Sequence, residues 1–267
     1  MQRAFGKGGL STYQRTGGTH LSTLYQEGCA KIRLPNTHSQ TLEAVLINTA
    51  GGLTGGDLMQ WSADLAPEGR MVLTTQACER IYRSLGGPAR VETRMQIGEN
   101  AHLDWLPQET ILFAASELDR RLDIDLATGA SLTAVEAILL GRDAMGEAAL
   151  DAKIRDNWRI RRNGRLIHAE ATRLDGTLSE RNGLSLLAGK RAFGTILHIA
   201  PDADQARAAL DRIRALLPAD PRIAASANGE RLVIRALAQT GLALRRLIVP
   251  ILSELSVTGT LPRMWHL

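Results

Sequence analysis

Little in this sequence supports redox, zinc or nucleic-acid chemistry. Its two cysteines, Cys29 and Cys78, stand far apart with no Cys-x-x-Cys spacing, so neither a disulfide framework nor a zinc site is indicated. Aromatic residues make up only 4% of the chain, which leaves few platforms on which bases stack. The densest basic stretch, Arg155, Arg159, Arg161, Arg162 and Arg165, reads as a solvated strand face, and no nucleic-acid partner is expected. Lysine is scarce, 4 against 28 arginines, a skew that decides nothing by itself. The chain lacks an apolar run of the roughly 18 residues needed to span a membrane, and it does not open on a signal-peptide pattern. A cytoplasmic protein without membrane association is the expectation. The six histidines show no metal-ligand spacing, and there is no Gly-x-Ser-x-Gly elbow or cysteine nucleophile motif. Catalytic machinery is not apparent, so an enzyme is not expected.

What is present is turn chemistry and alternation. Asn48-Thr49-Ala50-Gly51-Gly52-Leu53-Thr54-Gly55-Gly56-Asp57 sets four glycines before a carboxylate, and glycine lets the main chain adopt positive φ or approach another group closely. A phosphate-binding loop would close on Gly-Lys-Ser/Thr and open a helix. Here Leu58 to Leu65 follows with strand-like alternation, so a turn in a β protein fits better. Alternation recurs in Val91–Ile97, Arg121–Leu126 and Lys153–Arg162, the last followed by an Asn163-Gly164 hairpin signal that Asn228-Gly229 repeats. Turn-plus-strand units at Gly69-Arg70-Met71-Val72, Asn100-Ala101-His102-Leu103 and Gly129-Ala130-Ser131-Leu132 lie 31 and 29 residues apart, and Gly164-Arg165-Leu166-Ile167 is a candidate fourth copy. A period near 30 predicts strands stacked as a solenoid or an extended sandwich, against the competing reading of chance recurrence. The last third changes character. Asp202–Leu217 reads as a helix ending before Pro218, and Leu237–Leu255 as a second helix kinked at Pro250, with a hairpin over Arg222–Ala236 between them and a docking tail after Leu261. The expected fold is mainly β, a stacked-strand body, β-helix-like or an extended sandwich, with two α-helices in the C-terminal third. Without a linker-like segment, residues 1–267 are expected to form a single domain.

Three glutamates interrupt apolar strand patterns: Glu109, Glu136 and Glu170. Burying an unpaired carboxylate is costly, so each calls for an arginine, an internal water or a cation. His102 and Asp104 share a strand face and are within hydrogen-bonding reach.

Four blocks, Asn48–Asp57 (NTAGGLTGGD), Leu73–Ser84 (LTTQACERIYRS), Asp104–Phe113 (DWLPQETILF) and Leu140–Glu147 (LGRDAMGE), in that order and spacing, closely resemble the urease accessory protein UreD (UreH) family. The likeness runs over nearly the whole chain. Cys78-Glu79-Arg80 departs from it, standing where the family usually has small or hydroxyl residues and a base, and Met264-Trp265-His266 varies the usual ending. The resemblance implies a single UreD-like domain and a urease maturation factor: a scaffold that joins UreF and the GTPase UreG, docks on urease apoprotein, and helps nickel reach the urease active site. It implies no tightly bound cofactor, only transient nickel, and a dimeric arrangement within the accessory complex. By motif position it implies Asp57, Glu109, Glu136, Glu147 and Glu170 as stations on a nickel path. A metal in transit needs weak, oxygen-rich stations, since imidazole or thiolate cages would retain it. The competing readings are a non-catalytic, solenoid-like ligand-binding module and a hydrolase with paired carboxylates.

Overall fold

The computed structural model describes residues 3–142, 145–147, 149, 151–175, 181–184, 186–220 and 222–266. Asp143 and Ala144, within the fourth motif block, lie outside the described residues. The strands are β1 (Phe5–Arg15), β2 (Gly18–Gly28), β3 (Ala30–Arg33), β4 (Leu42–Asn48), β5 (Leu58–Leu65), β6 (Arg70–Thr75), β7 (Glu79–Ile81), β8 (Ala89–Ile97), β9 (His102–Leu106), β10 (Thr110–Leu112), β11 (Glu117–Leu126), β12 (Ser131–Leu140), β13 (Lys153–Arg162), β14 (Arg165–Leu174) and β15 (Ala192–Ile199). Helix α1 (Ala203–Leu216), β16 (Ile223–Asn228), β17 (Arg231–Ala238), α2 (Gly241–Leu255) and a 3-10 turn (Arg263–His266) complete the chain.

Two sheets face each other. One has seven strands in the order β14-β13-β11-β8-β5-β1-β2; the other has ten, with β16-β17-β15-β12-β9-β6-β4-β3 as its main path and β7 and β10 pairing beside β12. From β4 to β13 the chain shuttles between them, so β5, β8, β11 and β13 stack parallel in one sheet and β4, β6, β9 and β12 in the other. These are stacked coils resembling a β-solenoid, and antiparallel strands close both ends. The repeat is real with one change of register. His102 pairs with Ser131 as the turns suggest, but Arg70 pairs with His102 rather than Ala101. Slipping by one residue would turn every side chain to the other face, and the observed register is the one that keeps Met71 beside Leu103, both fully buried. Gly164 is not a fourth coil. It sits with Asn163 in the β13–β14 hairpin, at φ of 76° and 49°, the two positive values a type I′ turn requires.

The apolar patterns follow from what each face meets. Met71, Leu73, Leu103, Leu132 and Trp158 fill the space between the sheets, while Val72, Leu106 and Val135 face α1 and α2 on the outer side of the ten-stranded sheet. Strand β12 is therefore covered on both faces and reads as a near-continuous apolar run. Helix α1 begins after Asp202, whose Oδ1 accepts the Gln205 amide at 2.8 Å. Helix α2 starts at Gly241, four residues later than periodicity predicts. Leu237 and Ala238 stay in β17, paired with Phe193 and Ala192, and Thr240 caps the helix by accepting the Ala243 amide. The tail docks through Trp265, buried, with its indole N–H donating to the Leu106 carbonyl at 3.1 Å. Among the described residues no helix is long and apolar enough to cross a membrane.

Gly8 shows how tightly the coils pack. A Cβ there would lie 2.3 Å from the Trp61 ring, with the Ala30 Cβ at 3.5 Å. Gly8→Ala is expected to destabilise the protein by about 1–3 kcal/mol, as overpacked cores do, measured by urea denaturation.

Candidate functional site

Inward positions of several neighbouring strands carry polar groups within two residues of the same level. In the ten-stranded sheet Glu79 pairs with Thr110, Glu136 with Thr195, and Thr195 with Arg235. In the facing sheet Arg120 pairs with Asp156, and Glu170 lies opposite Trp158 on the neighbouring strand. The result is a polar layer bounded by apolar residues; in the seven-stranded sheet it ends at Val91, which pairs with Arg120 on the next strand of the stack.

Its centre bridges the sheets. Arg120 meets Glu136 at 2.7 Å through Nη1 and Asp156 at 2.8 Å through Nη2, while its Nε donates to Asp156 Oδ1 at 3.1 Å. Thr110 accepts from Arg120 at 3.0 Å and donates to Glu136 at 3.3 Å; the Trp158 indole N–H donates to Asp156 at 3.2 Å. Burial raises the Glu136 carboxyl above the usual range, against the pull of Arg120 and with the push of the Asp156 charge. At one end of the layer Arg235 joins Glu170 at 2.8 Å and Thr195 at 3.0 Å. At the other, partly buried Glu79 accepts from Asn48 Nδ2 at 3.1 and 3.3 Å, and burial pushes its carboxyl up to about 7. A cavity of about 60 Å³ lies here, lined in part by Glu79, Gln108, Thr110, Arg120 and Glu136, with Trp61, Trp105 and Trp158 as apolar walls.

The five carboxylates proposed from sequence are not brought together. Glu136 and Glu170 belong to the layer. Glu109 points away from it, toward α2, where Arg245 binds it through two nitrogens at 2.9 and 2.7 Å; burial would raise its pKa, but these bonds lower it. Asp57 is buried in the glycine-rich turn and accepts backbone amides from Thr54 at 2.8 Å and Ala4 at 2.9 Å. Glu147 sits in a loop, pinned by Arg142 at 2.6 Å and by the Ala114 amide at 2.9 Å, contacts that hold its pKa down. Each glutamate that interrupts an apolar strand has therefore found an arginine: Arg245, Arg120 or Arg235. Among the described residues no group of three His, Cys, Asp or Glu could hold a metal ion.

The sequence profile described as UreD urease accessory protein matches residues 5–266. The chain belongs to the UreD urease accessory protein family. It is 57% identical to the urease accessory protein UreD of Chelativorans sp. (strain BNC1), over all of this chain and 95% of that one. The UreD of Rhizobium johnstonii is 48% identical and that of Sinorhizobium medicae 44%, over all of this chain and 96% and 97% of theirs.

Sequence reasoning missed Arg120, Asp156 and Glu79 as members of the layer. For the first two the signal was present. Alternation through Leu118, Leu122 and Ile124 puts Arg120 inside, and alternation through Ile154, Trp158 and Ile160 does the same for Asp156. Glu79 gave none, because β7 is three residues long and its inward face is set only by pairing with β10.

Glu79 also gives a pH signature. Its folded-state pKa of about 7 lies above the ordinary carboxylate value of 4.5, so the folded protein holds this proton more tightly than the unfolded chain. Stability then falls as pH rises between those two values. Glu79→Gln, neutral throughout, is expected to match the parent below about pH 4.5 and to be the more stable protein at pH 8. Urea unfolding in the presence of a chelator at both pH values measures the difference.

Proposed function

We propose that this chain serves urease maturation as a single UreD-like unit that joins UreF and the GTPase UreG, docks them on urease apoprotein, and passes nickel along its interior without retaining it. The observation that carries the reading is the polar layer: carboxyl and hydroxyl oxygens on neighbouring strands between the two sheets, beside a cavity, in a chain of the urease accessory family. Oxygen donors in loose sets suit an ion that must leave again. Glu136 and Glu170 are the strongest stations of the five. Glu109 lies next to the layer with its charge neutralised by Arg245, and Asp57 and Glu147 hold turns that shape the body around it. Cytoplasmic residence and a dimeric accessory complex belong to the same reading.

The test is co-expression with the urease subunits and the other accessory proteins, followed by purification of urease and metal analysis. A chain carrying Glu136→Gln and Glu170→Gln, which keep size and hydrogen bonding, is expected to recruit UreF, UreG and urease apoprotein at parental levels while urease nickel content falls severalfold. Full nickel content and activity with the doubly substituted chain would remove the layer from the nickel route. Asp57→Ala is a poorer probe, since losing two backbone caps disturbs the turn itself.

A further inference from the structure

The outer face of the ten-stranded sheet carries a second polar group, apart from the layer between the sheets. His102 and Asp104 lie on the same side of β9 as Leu106, and Ser131 and Thr133 on the same side of β12 as Val135, the side that α1 and α2 cover. Ser131 and His102 are register partners on adjacent strands. The Ser131 Oγ lies 2.7 Å from His102 Nδ1, and His102 Nε2 lies 2.8 Å from Asp104 Oδ1. The other Asp104 oxygen already accepts from Ser256 and the Val257 amide, so the carboxylate acts as an acceptor and the proton between the pair sits on His102 Nε2. In the neutral ring Nδ1 then accepts the Ser131 O–H. A serine, an imidazole and a buried carboxylate thus form one directed chain, with the two ring nitrogens exchanged relative to the usual triad. The chemistry needs only that one nitrogen accept while the other donates.

This chain of bonds opens on a cavity. Ser131 and His102 line a space of about 550 Å³ between the strand ends and α1, a volume suited to a small molecule. His198 shares it, its ring centre 6.5 Å from that of His102. Thr133 spends its O–H on the Leu255 carbonyl and so accepts from His198 Nδ1, and burial holds the His198 pKa down to about 4. That ring stays neutral and puts no charge beside His102. Arg70, on the cavity wall, directs its guanidinium bonds to main-chain carbonyls, those of Glu68, Gly69 and Asn100, through a single nitrogen, and forms no salt bridge among the described residues.

We propose that Ser131 is a nucleophile toward small carboxylic esters, with His102 as its base, Asp104 as the residue that positions the His102 ring, and Arg70 as the cation that stabilises the oxyanion. Ser131 Oγ bonds to the ester carbonyl carbon as the serine proton passes to His102 Nδ1. The tetrahedral adduct carries its negative charge on the former carbonyl oxygen, where a guanidinium without a carboxylate partner is most effective. Its collapse breaks the bond to the leaving alcohol, which takes the proton from His102. Water then attacks the acyl-serine with His102 again as base, releasing the carboxylic acid and restoring the Ser131 O–H. No local motif announces this arrangement, because Ser131 and His102 meet only through strand pairing, 29 residues apart.

This activity lies apart from the nickel reading and stands or falls without it. The purified full chain is treated with diisopropyl fluorophosphate, which forms a bond from Ser131 Oγ to phosphorus, passes the serine proton to His102 and releases fluoride. One adduct per chain, mapped to Ser131 by peptide mass spectrometry, is expected, and the treated chain should no longer hydrolyse p-nitrophenyl acetate. Turnover of that ester should fall about a hundredfold or more in Ser131→Ala and in His102→Gln, the range for losing a positioned base or its nucleophile. Circular dichroism shows whether each variant folds; if His102→Gln does not, the adduct site in the parent and the turnover of Ser131→Ala still decide. No adduct, an adduct on another residue, or ester turnover unchanged by Ser131→Ala would each overturn the proposal.

Discussion

Arg120→Ala is expected to lower stability by about 3–5 kcal/mol, the range for breaking a buried ion pair by removing one partner. Arg120 is nearly covered by protein and is the sole cationic partner of Glu136 and Asp156 among the described residues. Its removal strands two carboxyls between apolar walls and opens a gap next to Trp158. The two contributions are separable. Arg120→Met refills most of the volume but not the charge, so it should recover only a small part of the loss. Adding Glu136→Gln and Asp156→Asn to Arg120→Met removes the stranded charges and should recover most of it. Because the penalty comes from ionised carboxyls, the deficit of Arg120→Ala should shrink as pH falls and those groups take up protons. Urea denaturation of the four proteins at pH 8 and pH 5 measures all of this; a deficit that is equal in the methionine variant and the triple variant would show that packing, not charge, holds the centre of the layer.

The second large effect is expected outside the layer, where the ten-stranded sheet meets the end of α2. Asp104, fully buried, accepts from Ser256 Oγ at 2.7 Å, from the Val257 amide at 3.0 Å and from His102 Nε2 at 2.8 Å. Thr133 Oγ1 adds a bond to the Leu255 carbonyl at 3.1 Å. One carboxylate thus ties the last turn of α2 to β9, and the segment that follows carries Trp265 back onto Leu106. Asp104→Ala leaves three donors without an acceptor; at about 1–3 kcal/mol for each unsatisfied buried group, partly relieved by water, a loss of about 3–5 kcal/mol is expected. Ser256→Ala removes one of these bonds and should cost about 1 kcal/mol. Hydrogen exchange should locate the Asp104→Ala defect at Val257 and the last turn of α2, with the strands β5, β8 and β11 protected as in the parent. Loss of protection spread evenly over both sheets would contradict a local clasp.

His102 and Asp104 illustrate how far sequence reading reaches. Their i, i+2 spacing on a strand places both on one face, and the structure has them hydrogen-bonded. That Asp104 also clasps a helix 152 residues further along could not be read, because nothing local distinguishes a carboxylate that will meet Ser256 from one that will meet solvent. The helix boundary at Gly241 was illegible for a similar reason. Leu237 suits the apolar stripe of a helix as well as the inward face of a strand, and pairing with Phe193 decides between them. The same limit applies to the candidate stations. An acidic residue inside an apolar run announces that a partner is needed, which held for Glu109, Glu136 and Glu170, but the run does not say which way the segment will face.

The sequence by itself determined the class of fold, the period of its coils to within one residue, the two helices, the family, and the need of three glutamates for partners. These are properties of local pattern: alternation, turn residues, caps and the energetic penalty of an unpaired charge act over a few residues and survive in one dimension. Only the tertiary structure decided that Glu136 and Glu170 share a layer while Asp57, Glu109 and Glu147 do not, that Arg120 serves two carboxylates at once, and that Glu79 meets the Asn48 amide and no salt-bridging cation among the described residues. Those facts depend on register between strands some 30 to 60 residues apart and on the packing of one sheet against another, where a shift of one residue exchanges inside for outside.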